Sequence, residues 1–582
     1  MLRGTPVSSG IAQGKAFVLA CADQSAGPLR NIQPAQLPAE MERFDTAVAR
    51  AEAELNALTQ TVGQRLGRDE GDIFVAQALV LRDPSFHQQV TAIVREKLVN
   101  VEAALSEVIE RVSRRFDEIP DAYLRERAAD IRDVGRRVLE ALLEAGDGEK
   151  LRIPEGSVVV ADELLPSVTA NLELSRVRGF ITHRGGRFSH SSILARSMGT
   201  PAVTGISQAP HTIRTGDQVI VDGVTGVVFV NPEPRVRQEY DRLEEEFKSY
   251  RQALQQILDQ PSVTVDGTAV SLMANVSKFP DTEAAALYRA EGIGLYRTEF
   301  GFSVRNTFPT EDEQYEFLAR AAQRLHPRPV TFRLLDLGGD KQLSYFPLPS
   351  SRNPSLADRG VRLLLKHPAL LQTQLRAFLR VSADHPVRVL LPVVGGVTEV
   401  RQVKAVIAEV KRQLASEGHR FDQNVPVGAM IEIPSAALLA DALAEEVDFF
   451  SLGTNDLVQY LLAADREDEG PEPYYQPLHP AVLRLIRSLT EAAERCQRPL
   501  TICGEMAGEP RYAELLLGLG LRRFSVAPGE ILPVKDAIRK ASLQAAQTLA
   551  RDALALSTHE EVEALLAANS KGVDRPGEGR SA

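Results

Sequence analysis

The chain has 582 residues and a formal net charge of −11, with 44% hydrophobic and 25% charged residues. This length predicts about three or four domains with the composition of an ordinary soluble globular protein. The acidic balance excludes a general nucleic-acid binder, and the absence of an apolar run of about 18 residues excludes a membrane span. Three cysteines, Cys21, Cys496 and Cys503, are too few for a disulfide framework. The first residues carry no apolar signal-peptide core, so we expect a protein of the reducing cytoplasm.

The first 231 residues predict an α/β domain that is interrupted by helices. Short apolar runs with Gly, Asp or Asn at their ends predict strands at residues 7–11, 14–20, 157–161, 179–182, 202–204, 218–221 and 226–230. Between them, apolar residues recur at helical spacing, as in Phe44, Val48, Ala51 and Leu55, and predict about four helices. We therefore predict an α/β domain made of residues 1–22 and 147–231, with residues 34–146 inserted as a helical subdomain.

The remainder of the chain predicts a linker helix and a barrel. Residues 232–260 are strongly charged with helical apolar spacing, which predicts a solvated connecting helix. From residue 261 to 568, short apolar runs alternate with amphipathic helices in the order of a (β/α)8 TIM barrel. The eight runs are residues 269–274, 292–296, 330–335, 387–393, 427–431, 449–452, 500–502 and 523–526. Residues 569–582 predict a disordered tail, and the whole chain predicts a multidomain α/β protein.

Reactive side chains follow the predicted barrel strands, where the βα-loops of such a barrel build one face. They are four arginines, two carboxylates, an amide and a thiol: Arg297, Arg333, Arg359, Arg466, Glu432, Asp456, Asn455 and Cys503. Arginine matches phosphate and carboxylate oxygens, and two carboxylates without a His or Cys partner suit a hard cation such as Mg²⁺. Each residue alone has another interpretation: an ion pair for an arginine, a helix N-cap for Glu432 or Asp456, and an inert buried thiol for Cys503. Together, at the strand ends of one barrel, they predict a site for a small, highly anionic phosphate ester.

A second candidate site lies in residues 182–196, where a predicted strand runs into a Gly-Gly pair and a histidine opens a helix. Glycine allows close approach to the backbone, and a helix N-terminus offers N–H groups to an anion. His190 at this place would tend to be neutral and nucleophilic, and its phosphorylated form would be stabilised. Helix capping is the alternative for His190, and a structural role is the one we expect for His183.

Three segments resemble signatures of the PEP-utilising enzyme family. They are residues 185–196, GGRFSHSSILAR, residues 292–300, GIGLYRTEF, and residues 448–457, DFFSLGTNDL. The helical segment 123–134, YLRERAADIRDV, is similar to Enzyme I of the bacterial phosphoenolpyruvate:sugar phosphotransferase system, and the likeness extends over nearly the whole chain. The resemblance implies a phosphotransferase that moves the phosphoryl group of phosphoenolpyruvate to His190 and then to a histidine of the phosphocarrier protein HPr.

The resemblance also implies a role for individual residues. It implies that His190 is the phosphorylated nucleophile, that Thr169 hydrogen-bonds it, and that Cys503 is the proton donor to the enolate. The implied substrate-binding residues are Arg297, Arg333, Arg359, Asn455 and Arg466, and the implied Mg²⁺ ligands are Glu432 and Asp456. The helical subdomain would bind HPr, and the barrel would bind phosphoenolpyruvate and form a homodimer.

Two other functions stay open at the level of the sequence. A pyruvate–phosphate dikinase or phosphoenolpyruvate synthase would share the histidine and the barrel, but it needs a nucleotide-binding domain. The only candidate region, residues 34–146, lacks a glycine-rich loop. A sensor that binds phosphoenolpyruvate or pyruvate without turnover is the rival of another class. Phe188, which stands where the family usually has Thr, is its best support.

Overall fold

The computed structural model describes the chain except for residues 20–28, 66–76, 79–80, 82–83, 118–121, 144–152, 165–175, 186–191, 193–194, 196–198, 208, 304, 306, 339–342, 344, 347, 349–352, 354–355, 357, 466–473 and 570–582. The chain divides into two compact units between Tyr250 and Arg251. Each unit has hydrophobic cores of its own. The predicted tail at 569–582 lies almost entirely outside the described residues.

The first unit contains a sheet of eight strands drawn from both ends of its sequence. They are β1 Leu2–Arg3, β2 Thr5–Ser8, β3 Ile11–Val18, β4 Ser157–Ala161, β5 Val177–Thr182, β6 Ala202–Thr204, β7 Gln218–Asp222 and β8 Val227–Val230. Their order is β1-β8-β7-β3-β4-β5-β6-β2. The strands β3 to β6 run parallel, and β1, β2, β7 and β8 pair antiparallel with their neighbours. Since β3 and β4 are adjacent, the helices between them are an insertion, as predicted.

The inserted segment is helical. Its helices are α1 Leu37–Arg65, α2 Pro84–Lys97, α3 Val101–Asp117 and α4 Ala122–Leu142. Pro84 opens α2 because proline is tolerated in the first turn, where its missing N–H leaves no bond unmade. The apolar residues that recur at helical spacing form a separate core, which includes Phe44, Leu55 and Leu105.

Helix α5 Ala209–Thr212 is short, and α6 Pro234–Gln256 forms the connection predicted at 232–260. The first part of α6 packs on the sheet, where Tyr240 Oη donates a hydrogen bond to Asp222 Oδ2 at 3.0 Å. Leu243 of α6 is buried against Ile11 and Ile220. On the solvent face of α6, Arg242 pairs with Glu239 and Glu246, as in a solvated helix.

The second unit is a closed barrel of eight parallel strands, as predicted. They are β9 Ser271–Val276, β10 Ile293–Tyr296, β11 Val330–Arg333, β12 Val387–Leu391, β13 Val427–Ile431, β14 Phe449–Leu452, β15 Leu500–Ile502 and β16 Arg523–Val526. The pairing of β16 with β9 closes the barrel. Strand β11 ends before the predicted residue 335, because the N–H of Leu335 donates to the Gln374 side chain at 2.8 Å instead of to a neighbouring strand.

Helices surround this barrel and bury their apolar faces against it. They are α7 Phe279–Leu287, α8 Phe300–Ser303, α9 Glu311–Leu325, α10 Val361–Lys366, α11 Pro368–Val381, α12 Val397–Ser416, α13 Pro434–Leu438, α14 Ala440–Ala444, α15 Thr454–Leu462, α16 Pro480–Arg495, α17 Glu505–Gly508, α18 Ala513–Gly518, α19 Ile531–Lys540, α20 Leu543–Ala555 and α21 His559–Asn569. The loops that run from strand to helix form one face of the barrel.

Candidate active site

The charged residues predicted at the strand ends lie at one end of the barrel. Arg333 is the last residue of β11, Glu432 directly follows β13, and Cys503 directly follows β15. Asp456 lies in the first turn of α15, after β14. Because all eight strands are parallel, their carboxyl ends meet on one face, to which the end of β10 also brings Arg297.

Arg333 is buried between two carboxylates. Its Nη2 donates a hydrogen bond to Glu299 Oε1 at 2.6 Å, and its Nη1 lies 3.2 Å from Asp336 Oδ2. Burial lowers the pKa of Arg333, but the charges of Glu299 and Asp336 outweigh it, so the net pKa is raised and the guanidinium stays charged. Its buried Nε has no hydrogen-bond partner among the described residues, so one donor is available to a ligand.

Arg359 is buried between Asp336 and Asp456. Its Nε and Nη2 donate to the two oxygens of Asp336 at 2.8 and 2.9 Å. Its Nη1 and Nη2 lie 3.3 Å from the two oxygens of Asp456. Burial opposes the charge on Arg359, but the two carboxylates raise its pKa above the ordinary value. The guanidinium therefore fixes both carboxylates in one plane, with most of its donors directed at the protein.

The loop that carries Arg359 is crowded, and two glycines make it possible. Gly338 has a φ of 111°, and a Cβ there would lie 2.1 Å from the carbonyl oxygen of Asp358. Gly360 has a φ of 56°, and a Cβ there would lie 2.6 Å from Val393 Cγ2. Any other residue would both strain the backbone and push the loop away from the site.

Only one of the two carboxylate oxygens of Glu432 accepts a hydrogen bond from the described residues. Its Oε1 accepts the N–H of Val393 at 2.6 Å, and its Oε2 is buried with no partner in the part of the chain that is described. A Cβ at Gly453 would lie 3.1 Å from Oε2, so the glycine leaves room beside this oxygen. Burial, with the neighbouring charges of Asp456 and Asp336, raises the pKa of Glu432 to about 8. A cation beside Oε2 would favour the ionised form.

These features fit a hard divalent metal held by Glu432 and Asp456. Within the described ranges, no group of three or more His, Cys, Asp or Glu side chains could hold a metal ion. If Glu432 and Asp456 held such a metal, waters and ligand oxygens would complete its coordination.

Cys503 lies in an apolar pocket beside the charged groups. Its neighbours are Leu295, Leu390, Met430 and Phe449. Burial raises the pKa of Cys503 to about 11, so the thiol carries its proton at neutral pH. Its Sγ accepts a hydrogen bond from Ser451 Oγ at 3.2 Å and donates one to the carbonyl oxygen of Leu452 at 3.3 Å.

Asn455 and Arg297 lie on the same strand-end face. Asn455 Oδ1 accepts the N–H of Glu505 at 2.8 Å, which ties the loop after β14 to the loop after β15. The backbone N–H of Arg297 donates to the carbonyl oxygen of Val276 at 2.8 Å, while its side chain is exposed. Of the three site arginines that the structure describes, Arg297 is exposed, and Arg333 and Arg359 are buried.

Three predicted site residues, His190, Thr169 and Arg466, lie outside the described residues, as does Phe188. The approach to the histidine segment is described. The carbonyl oxygen of Gly185 accepts a hydrogen bond from Thr204 Oγ1 at 2.6 Å, directly after β5. His183 Nδ1 lies 3.1 Å from the carbonyl oxygen of Ile206, a contact between loops that fits the structural role we expect for it.

The sequence interpretation assigned no role to Asp336, Glu299 or Ser451. Asp336 and Glu299 follow predicted strands just as the assigned residues do, so their positions were a usable signal. Ser451 is a hydroxyl residue within the apolar strand Phe449–Leu452, and a polar residue inside a buried strand was the available signal there.

A closed parallel barrel with arginines, carboxylates and a thiol at its strand ends defines a TIM-barrel enzyme that acts on an anionic substrate. Three family models match the chain. They are PEP-utilising enzyme, N-terminal, at residues 3–127, PEP-utilising enzyme, mobile domain, at 153–226, and PEP-utilising enzyme, PEP-binding domain, at 251–543. The chain belongs to the PEP-utilising enzyme family.

Similar proteins extend over nearly the whole chain. A protein of Bacillus sp. (strain S) is 41% identical over 96% of this chain and 96% of its own. One from Bacillus subtilis (strain 168) is 40% identical over 97% and 99%, and one from Haemophilus influenzae is 39% identical over 97% and 98%. Each is named phosphoenolpyruvate-protein phosphotransferase. The chain is accordingly an enzyme of the phosphotransferase class, in a family that needs a divalent metal.

The helices were compared with the length and hydropathy of membrane-spanning segments. Of the helices in the described part of the chain, not one combines the length and the apolar character needed to cross a membrane.

Proposed function

We propose that this chain is a phosphoenolpyruvate-protein phosphotransferase. It transfers the phosphoryl group of phosphoenolpyruvate to its own His190, and then to a histidine of an HPr-like phosphocarrier protein. The observation that carries the proposal is a set of buried polar atoms at the strand ends. Arg333 Nε, Glu432 Oε2 and Thr454 Oγ1 have no hydrogen-bond partner among the residues described. Because buried polar groups are normally paired, these atoms are available to an anionic ligand and its metal.

The arginines bind the substrate in this proposal. Arg297, Arg333 and Arg466 bind the phosphate, with Asn455 as a further contact. Guanidinium groups that are fixed before substrate arrives stabilise the charge of the transferring phosphoryl group, and phosphoryl transfer depends mainly on such positioning and electrostatics. The ion pairs of Arg333 with Glu299 and Asp336 supply that fixed geometry.

The metal is Mg²⁺ in this proposal, held by Glu432 and Asp456. When bound, it neutralises negative charge on the oxygens of the substrate. Arg359, a substrate-site residue by resemblance, holds the Asp456 carboxylate in place through its two contacts at 3.3 Å.

Cys503 donates the proton that turns the enolate of pyruvate into the ketone. The raised pKa of about 11 keeps the thiol protonated at neutral pH, which a donor requires. Once the methyl group of pyruvate has formed, the reverse phosphoryl transfer becomes unfavourable.

The remaining parts of the chain serve the transfer between proteins. The α/β domain, residues 1–22 and 147–231, carries His190 and Thr169, which hydrogen-bonds it. The helical subdomain, residues 34–146, binds the HPr-like carrier, and the barrel, residues 261–568, forms a homodimer. His190 must visit both the barrel and the carrier, so the domain moves on the linker 232–260. The protein works in the cytoplasm.

Phosphorylation of His190 tests the function directly. The chain is incubated with phosphoenolpyruvate and Mg²⁺, and acid-labile phosphate is located by mass spectrometry. We expect phosphate on His190 in the parent chain and in His183→Ala, the matched control from the same segment. Labelling of a His190→Ala chain would overturn the proposal, and labelling by ATP would favour a dikinase. Tight binding without release of pyruvate to any HPr-like acceptor would favour a sensor.

A further inference from the structure

The thiol of Cys503 has a hydroxyl partner that the proposed function does not use. Ser451 Oγ donates a hydrogen bond to Cys503 Sγ at 3.2 Å, and both side chains are about 1% exposed. Strand register sets this distance. Strand β14 pairs with β15 through Leu452 and Ile502, and the N–H of Cys503 donates to the carbonyl oxygen of Leu452 at 3.0 Å.

The backbone of Cys503 is also fixed from the other side of the barrel. Its carbonyl oxygen accepts a hydrogen bond from Asn275 Nδ2 at 2.8 Å, and Ser525 Oγ donates to Asn275 Oδ1 at 2.7 Å. Asn275 belongs to β9 and Ser525 to β16. With the backbone held at both ends, the sulfur can move only by rotation about its side-chain bond, and Ser451 limits that rotation.

We propose that Ser451 is a positioning residue, which orients the Cys503 thiol for proton exchange with the methyl carbon of pyruvate and stabilises the thiolate that forms. The inference rests on the proposed function, in which Cys503 is the proton donor. It assigns a role to a residue that touches the sulfur but no substrate.

The proton balance of this step is closed. In the forward direction the S–H bond breaks and a C–H bond forms at the methylene carbon of the enolate. The electron pair of the enolate double bond makes the new C–H bond, while the enolate oxygen becomes the ketone oxygen. The pair of the S–H bond stays on sulfur as a thiolate, which accepts the Ser451 hydrogen bond until it takes a proton again. The reverse step removes a methyl proton from pyruvate.

The hydrogen bond from Ser451 stabilises a Cys503 thiolate in a buried, largely apolar environment. The apolar neighbours of Cys503 are the side chains of Leu295, Leu390, Met430 and Phe449. Among the charged groups, Arg297 and Arg333 favour a thiolate and Glu432 opposes it. A carbonyl oxygen repels a thiolate, so Ser451 supplies the hydrogen bond that stabilises it. Burial raises the pKa of Cys503 and the Ser451 hydrogen bond opposes that rise. Loss of a hydrogen bond to a charged group corresponds to about a 10- to 100-fold change in rate.

Exchange of the pyruvate methyl protons with deuterium oxide isolates the proton step. The full-length protein is incubated with pyruvate and Mg²⁺, and loss of the methyl signal is followed by proton NMR. We expect Ser451→Ala to exchange about 10- to 100-fold more slowly than the parent, and its rise of rate with pH to move to higher pH. Thr331→Val, a change of another buried barrel hydroxyl, is the matched control and should leave exchange unchanged.

A second measurement separates positioning from general damage. Phosphorylation of His190 by phosphoenolpyruvate needs no proton from the thiol, so Ser451→Ala should retain it within about threefold of the parent. Equal losses in both assays, or unchanged exchange, would overturn the role of Ser451. If the parent exchanges no faster than Cys503→Ala, the thiol is not the donor and the inference falls. If His190 is not phosphorylated while Ser451→Ala still slows exchange, the proposed function fails and the inference stands.

Discussion

Asp336 is the residue on which both buried arginines depend. It has no exposed surface, and it contacts Arg333 at 3.2 Å and Arg359 at 2.8 and 2.9 Å. Its backbone N–H also donates to Glu299, the other carboxylate on Arg333. A buried charge costs free energy unless it is paired, so this carboxylate keeps two guanidinium groups charged in an enclosed place. We infer that Asp336 sets the geometry of the arginines without contacting the substrate.

Replacement of Asp336 tests this dependence. We expect Asp336→Asn to lower the free energy of unfolding by about 3 kcal/mol, because each of two buried guanidinium groups loses one of its two carboxylate partners. Affinity for phosphoenolpyruvate should fall as well, since both arginines lose their fixed orientation. Urea denaturation and a binding titration measure the two effects. Asp312→Asn removes one of the two carboxylate partners of Arg380, at a side chain that is 78% exposed, and it should cost less than about 1 kcal/mol. Equal effects of the two changes would contradict the dependence.

The raised pKa of Glu432 predicts that the binding of metal releases a proton. Below a pH of about 8, the Glu432 carboxyl group is protonated in the metal-free protein, and the metal must displace that proton. Affinity for Mg²⁺ should therefore rise with pH and level off above a pH of about 8.

Burial disfavours the ionised form of Glu432 in the folded, metal-free protein. The free energy of unfolding of that protein should therefore fall as the pH rises from about 4.5 to 8.

Calorimetric titration of Mg²⁺ in two buffers of different ionisation enthalpy measures the released proton. We expect release near neutral pH and none well above pH 8. Glu432→Gln is the control, because its amide has no proton to release. A proton release that is the same at all pH values, or that persists in Glu432→Gln, would show that another group is responsible.

The residues of the site were easier to predict than their contacts. Arg333 and Glu432 could be assigned because strand ends of a parallel barrel share one face, which is a property of the topology. That Arg359 is directed at Asp336 and Asp456 could not be read from the sequence, because residues 359 and 456 lie far apart in the chain. The pairing depends on a loop whose path is set by Gly338 and Gly360, and neither glycine carries a pattern that reports its neighbours.

Among the secondary-structure elements, the segment that follows the linker helix α6 is held by hydrogen bonds from one lysine, Lys535. Helix α6 ends at Gln256, and the next carbonyl oxygens, of Leu258 and Gln260, accept hydrogen bonds from Lys535 Nζ at 2.9 and 3.0 Å. The Lys535 side chain is buried, and burial lowers its pKa. A cation at this place satisfies carbonyl groups that the end of a helix leaves unpaired.

Replacement of Lys535 should destabilise the segment 257–262, which leads from helix α6 into the barrel. We expect Lys535→Met to lower the free energy of unfolding by about 2 kcal/mol, because the hydrogen bonds from a charged donor to the carbonyl groups of Leu258 and Gln260 are lost. Amides of residues 257–262 should exchange with deuterium faster, as measured by mass spectrometry. The control Lys540→Met removes a half-exposed partner of Asp536 on the same helix α19, and it should cost less than about 0.5 kcal/mol. Unchanged amide exchange in Lys535→Met would contradict this role.

The elements themselves follow closely from sequence pattern. All eight barrel strands were predicted because buried parallel strands form short apolar runs between amphipathic helices. Their ends were less well predicted, as at Leu334 and Leu335, which are as apolar as the strand before them. There the N–H of Leu335 donates to the Gln374 side chain and the N–H of Asp336 donates to the Glu299 carboxylate. A local sequence pattern does not predict acceptors that lie so far along the chain.

In the molecule as a whole, the predicted phosphoenolpyruvate site and the predicted phosphorylated histidine belong to different units. The described residues of the predicted phosphoenolpyruvate site, Arg297, Arg333, Arg359, Glu432, Asp456 and Cys503, all belong to the unit that begins at Arg251. His190 belongs to the unit that ends at Tyr250. Because each unit has hydrophobic cores of its own, we expect the two to unfold as separate cooperative transitions.

A ligand that binds one unit should therefore stabilise one transition only. Scanning calorimetry of the His190→Ala chain, which cannot consume the substrate by self-phosphorylation, should show two transitions. Phosphoenolpyruvate with Mg²⁺ at a hundredfold excess over its Kd should stabilise the barrel by about 2.7 kcal/mol and raise that transition alone. The chain has no tryptophan, so labelling of the buried Cys503 thiol identifies the barrel transition. The matched variant Glu432→Gln should lose most of the shift. A single transition that moves as a whole would show that the two units unfold together.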